Sequence, residues 1–216
     1  MKPLSPQPFR DRVEAGELLA GQLSQYSNRE DVVVLALPRG GVPVAQQVAA
    51  KLGVPFDVFV VRKLGVPGHE ELAMGAIAGG VRLLNDEVVR ALDIPSDVID
   101  SVTRREQIEL ERRENLYRGT RAPIGLAGKI VILVDDGLAT GSTMRAAVMA
   151  VKQHQPALVI VAAPVGAPST CRDLAREADA VVCVRMPDPF VAVGLWYRDF
   201  TPTSDHEVRS LLGQLT

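Results

Sequence analysis

Continuous runs of branched apolar residues recur along the chain, and between them apolar positions return about once per helical turn. Val32 to Leu37, Phe56 to Val61, Val131 to Val134, Leu158 to Ala163 and Ala180 to Arg185 are apolar almost throughout rather than alternating. That is the pattern of strands covered on both faces. Phe9, Val13, Leu19 and Leu23 predict a helix from Phe9 to Tyr26. Pro43 suits a first helical turn, in a helix that runs to Leu52 and stops at Gly53. Further helices are predicted from Asn85 to Leu92, from a Ser96 cap to about Tyr117, from Ser142 to about His154, and from Pro168 to about Glu177. Met74 to Ala78 and Val81 to Leu84 flank Gly79-Gly80 and read as a hairpin. Residues 62–71 and 119–128 read as loops, and Pro3 to Pro6 as part of a loose arm. Alternating strands and helices predict an α/β fold with a doubly wound, largely parallel sheet. Residues 1–216 form a single domain in this reading.

Composition narrows the picture modestly. With 216 residues, 47% hydrophobic but only 4% aromatic, the chain suits one aliphatic core. A formal charge of −2 gives no footprint for nucleic acid, and no apolar run reaches the length of a membrane span. The first residues lack a signal-peptide core, so a cytoplasmic location is the expectation. Cys171 and Cys183 lie far apart with no metal-type spacing and are expected to be buried thiols rather than a disulfide. Charges of both signs from Arg104 to Glu114 predict a solvated helix face.

The candidate chemistry lies where strands end. Val131 to Val134 runs into Asp135-Asp136, then Gly137-Leu138-Ala139-Thr140-Gly141-Ser142-Thr143, then a helix. Backbone N–H groups at that helix start can hold a phosphate, and the three hydroxyls add donors. Asp135 and Asp136 can accept from a vicinal hydroxyl pair of a ribose. No Lys precedes Ser142 or Thr143, which excludes a Walker A loop. Arg39-Gly40-Gly41, between strand and helix, makes a compact anion pocket. Arg62 and Lys63 form the cationic stem of a Gly- and Pro-bearing loop of the kind that opens and closes over a site. In an open α/β sheet, loops at the carboxyl ends of strands share one crevice.

The Asp135 to Thr143 run resembles the signature of type I phosphoribosyltransferases, which use phosphoribosyl pyrophosphate (PRPP). The resemblance implies that Asp135 and Asp136 hold the ribose together with Mg²⁺. It implies that Ala139, Thr140, Gly141, Ser142 and Thr143 hold the 5′-phosphate. Arg39, Gly40 and Gly41 would hold pyrophosphate, and Arg62, Lys63 and His69 would neutralise it as it departs. Asp135 and Asp136 would orient the ribose during transfer. A small C-terminal hood, roughly residues 186–216, would cover the base, with Phe190 or Trp196 stacking on it. The implied partners are PRPP and a nitrogenous base, with neither nucleic acid nor membrane, and homo-oligomers are common in the family. The acceptor signals are mixed. Ala139-Thr140-Gly141 is similar to the adenine enzymes, whereas Arg39-Gly40-Gly41 is similar to the xanthine–guanine type. Ala139 replaces the acid that oxo-purine enzymes carry there, and Trp196 stands near the place of their hood Asp. Two rivals remain: a non-catalytic PRPP or nucleotide sensor on the same fold, and a hydrolase with Asp135 as nucleophile. The second would need further acids, for which Asp86 and Asp188 are the candidates.

Overall fold

The computed structural model describes residues 7–213, so the proline-rich arm predicted at the start lies outside the described residues. The central sheet has five parallel strands: β1 (Val32–Ala36), β2 (Phe56–Val58), β6 (Ile130–Val134), β7 (Leu158–Val165) and β8 (Ala180–Arg185). They lie side by side in the order β2-β1-β6-β7-β8. Every residue of β1 and β6 is buried, which explains why neither alternates in polarity. The faces nonetheless differ. Val32, Val34, Ala36, Ile132 and Val134 pack with α1 (Arg12–Gln22) and α2 (Gly41–Leu52). Val33, Leu35, Val131 and Leu133 pack with α5 (Ser142–Gln153) and α6 (Pro168–Leu174). Helices on both faces of a parallel sheet make the predicted doubly wound α/β fold.

Four predictions need correction. The first helix does not start at Phe9. The Asp11 side chain accepts the Glu14 N–H at 2.8 Å and caps α1 there, and the helix gives way to a 3-10 turn at Ser24–Tyr26. The strand from Phe56 ends at Val58, and residues 62–71 are not a loop. They form β3 (Val61–Val66) and the start of β4 (His69–Ala78), which with β5 (Val81–Leu84) make a three-stranded antiparallel sheet. Leu64, Val66, Met74 and Ala76 are buried there, and the sheet packs on α4 (Ser96–Arg118). Burial against that distant helix supplies the stability that the local Gly-Pro-rich sequence lacks. A short helix α3 (Asp86–Ala91), capped by Asn85, connects β5 to α4, whose first residue is Ser96. Pro95 stands at the cap position, and the Ser96 side chain does not cap the helix as expected.

The expected hood also divides. Residues 186–201 stay at the sheet edge, including a 3-10 turn at Val193–Trp196, whereas α7 (Asp205–Gly213) turns back onto α2 and α4 with Val208 and Leu212 buried. The part at the edge is tied to the other end of the chain. Phe9 N–H donates to Trp196 O at 2.8 Å, Arg198 N–H to Phe9 O at 2.8 Å and Asp199 N–H to Arg10 O at 2.9 Å. Among the described residues, no helix is long and apolar enough to cross a membrane.

Candidate active site

Two βα turns touch at the carboxyl edge of β1 and β6. Leu37 N–H donates to Val134 O at 2.9 Å, and Gly41 N–H returns to Leu37 O at 3.1 Å. The intervening Pro38–Arg39 peptide is cis. A Cβ on Gly41 would stand 2.7 Å from Val134 O and 2.9 Å from the Asp135 Cα, and one on Gly40 would collide with the Asp136 carboxylate. Only glycine lets the Arg39 turn lie against the acids. Arg39 itself is half-exposed, with Nη1 3.9 Å from Asp205 Oδ1. Asp205 also accepts the Tyr117 hydroxyl at 2.7 Å. Burial and that bond push the Tyr117 phenol up to about 12.

The two acids have different surroundings. Asp136 Oδ2 accepts from Arg12 Nε at 2.9 Å and Nη2 at 2.8 Å, and both side chains are largely shielded, at 15% and 10% exposure. The Arg12 guanidinium lies 4.1 Å from the Phe200 ring centre and donates through Nη1 to Thr201 O at 2.8 Å. The Tyr197 hydroxyl donates to Asp136 O at 2.6 Å, and burial raises its pKa well above a free tyrosine's. Asp135 accepts one hydrogen bond among the described residues, from the Asp136 N–H at 2.9 Å. Burial, then the neighbouring Asp136 charge, raises Asp135 well above the ordinary carboxylate range. Burial pushes Asp136 the same way, but Arg12 opposes it, so Asp135 is the acid we take to hold the raised value. Asp135 thus has spare acceptor capacity and an anionic neighbour, a donor set that suits a hard cation or sugar hydroxyls.

Beyond the acids, Leu138 N–H donates to Val165 O and Ala167 N–H to Leu138 O, pinning the loop to the end of β7. Gly141 has φ +73°, and no side chain caps α5, whose first N–H groups follow directly. Ala139, Thr140, Ser142 and Thr143 are exposed around it, with Thr140 Oγ1 3.0 Å from Ser142 Oγ. Thr170 props the loop from behind by donating to Ala139 O at 2.5 Å.

The remaining candidates are placed less centrally. Arg62 is taken up by Glu106 on α4, at 2.5 and 3.0 Å. Lys63 stands exposed on β3 opposite Ala76, and His69 is exposed where β4 begins. Phe190 packs against the cluster of Phe9, Val165 and Tyr197, and Trp196, which also packs there, lines a cavity with residues 184–189. Arg12, Tyr197, Thr170 and Asp205 carry no local sequence signal, since each meets the site through contacts distant in the chain.

The chain matches the family model for the phosphoribosyl transferase domain over residues 10–74 and 67–195. It is 50% identical over 205 residues to a Mycobacterium tuberculosis (strain CDC 1551) protein provisionally named a phosphoribosyl transferase, covering 94% of this chain and 46% of that protein. The chain therefore spans about half the length of that relative. The crystal structure of TT1426 from Thermus thermophilus is 41% identical with a TM-score of 0.87, covering 95% of this chain and 98% of that one. A hypoxanthine-guanine phosphoribosyltransferase from Bacillus anthracis shares the fold at 14% identity, with a TM-score of 0.51 and 90% and 94% coverage. Fold, edge loops and these matches agree: the chain belongs to the phosphoribosyl transferase family.

Proposed function

We propose that the chain transfers phosphoribose from PRPP to a ring nitrogen of a nitrogenous base, releasing pyrophosphate. The supporting observation is the contact of the Arg39-Gly40-Gly41 turn with Asp135 and Asp136, in the same loop that leads into the uncapped start of α5. The N–H groups and hydroxyls of residues 140–143 bind the terminal phosphate, and Asp135 accepts from the ribose hydroxyls. Asp136 keeps the Arg12 contact and orients the loop. Arg39 and the amides of Gly40 and Gly41 hold the pyrophosphate as its C1–O bond breaks and charge gathers on it. Mg²⁺, bound with PRPP beside Asp135, would supply further charge neutralisation for the leaving group. Lys63 and His69 join only when the antiparallel sheet closes towards the edge. Phe190 and Trp196 bound the base side.

The test is pyrophosphate release from PRPP across a panel of purine and pyrimidine bases, with the Asp135→Asn/Asp136→Asn double variant alongside. The expected result is turnover with at least one base and its loss in the variant. Undiminished turnover in the variant would remove the mechanism. The Arg62–Glu106 pair favours a second reading, a PRPP or nucleotide sensor, because it occupies a cation that leaving-group chemistry would use. Calorimetric binding of PRPP with no pyrophosphate release from any base would select it.

A further inference from the structure

Behind the phosphate loop, two thiols carried by different elements meet. Cys171 lies in α6 and is 5% exposed, whereas Cys183 lies on β8 and is partly exposed. Their Sγ atoms are 3.2 Å apart. A Cβ on Gly166 would stand 2.6 Å from Cys171 Sγ and 3.2 Å from Cys183 Sγ, so the glycine at the end of β7 leaves the space in which the sulfurs approach. A disulfide needs about 2.05 Å between sulfurs, and a small shift of α6 towards β8 supplies it.

That shift has a direct route to the site. Thr170, next to Cys171, donates to Ala139 O, and its methyl lies 2.6 Å from where a Cβ on Gly141 would stand. Ala167, at the start of α6, donates to Leu138 O at 2.8 Å. We propose that Cys171 and Cys183 form a reversible disulfide, made by a small peroxide, that controls the phosphate loop through Thr170.

The chemistry balances with the peroxide as oxidant. The Cys171 thiolate attacks one peroxide oxygen, the O–O bond breaks, and hydroxide leaves with the electron pair, giving a sulfenic acid. The hydroxide released in that step takes the Cys183 proton, offsetting the hydrogen bond to Cys171 and the burial that hold this thiol protonated, and leaves as the first water. The Cys183 sulfur attacks the Cys171 sulfur and the S–O bond breaks. The departing hydroxide takes up the proton first lost from Cys171 and leaves as the second water. Overall, two thiols and one hydrogen peroxide give one disulfide and two waters. The Cys183 S–H beside Cys171, with Arg172 nearby, lowers the Cys171 thiol and favours its thiolate. Burial of Cys171, the sulfur that meets the oxidant, selects a small oxidant over a bulky disulfide such as oxidised glutathione.

The experiment treats the full chain with hydrogen peroxide and follows three readouts: peptide mapping, hydrogen exchange of residues 139–143, and PRPP affinity by calorimetry. Peptide mapping is needed because exposed Met149 and Met186 also take up oxygen, which dithiothreitol does not remove. The expected result is a Cys171–Cys183 linkage lacking two hydrogens. Exchange in the loop should become at least about threefold faster as Thr170 is drawn away. PRPP should bind at least about fivefold more weakly, and dithiothreitol should reverse all three changes. Cys171→Ser and Cys183→Ala should not respond. Absence of the linkage overturns the proposal, and so does a linkage that leaves loop exchange unchanged. Only the affinity readout rests on the function proposed above. If reduced protein fails to bind PRPP while loop exchange still follows the linkage, that function falls and the thiol site stands.

Discussion

The acidic edge of the parallel sheet and the antiparallel β3–β4–β5 sheet both carry charged residues among glycines, yet they use them differently. At the edge, a contiguous stretch brings its own geometry: β6 ends at Val134 and runs straight into Asp135 and Asp136, and α5 presents N–H groups without a side-chain cap. In the antiparallel sheet, cations are engaged by α4, Arg62 by Glu106 and Arg82 by Asp100 at 2.6 Å. A charged residue whose partner is built into the same stretch can be assigned locally. One whose partner lies on a distant helix cannot.

Breaking the edge should have the largest effect. Asp136→Ala strands the shielded Arg12 guanidinium and removes the anion that joins α1 to the loop. Loss of one partner of such a pair costs about 3–5 kcal/mol, which urea or thermal unfolding will register. Next comes Asp135→Asn, which separates stability from function. PRPP affinity should fall by about a hundredfold, because a charge-assisted acceptor for the ribose and its cation is lost. Thermal stability at neutral pH should instead rise by about 2–4 °C, since a shielded anion beside Asp136 disappears.

The same acid gives a pH signature. Asp135 has a raised value in the fold, so the native protein retains a proton that the unfolded chain releases. Its contribution to stability is fully present below the unfolded value of about 3.9 and declines as pH climbs through the folded value. PRPP affinity should rise over that window, and Asp135→Asn should flatten both trends in paired melting and calorimetric titrations. The smallest effect is expected away from the edge. Glu106→Gln should cost about 1 kcal/mol or less, since Arg62 is partly exposed, and should leave PRPP affinity within about twofold. A tenfold gain in turnover would instead show that Arg62 acts in catalysis once released.

The sheet was legible because buried parallel strands are apolar throughout, and the acid–phosphate stretch because its parts are consecutive. The β3–β4 pairing was not, because Arg62, Lys63, Gly65 and Pro67 read as a loop until α4 provides a surface to cover. Arg12 is silent in the sequence for a related reason. It sits in an unremarkable helical sequence, and its acceptor lies 124 residues away. Phe190 and Trp196 are candidate stacking rings by sequence, and in the structure they pack into the Phe9 and Tyr197 cluster.

The knot around Asp136 has a consequence for birth on the ribosome. The five parallel strands and both acids emerge first, but the contacts that secure Arg12 and Asp136 await Tyr197, Phe200 and Thr201. A nascent chain stalled before those residues would hold the sheet with Arg12 not yet secured against Asp136, so the acidic edge is completed only when these last contacts emerge.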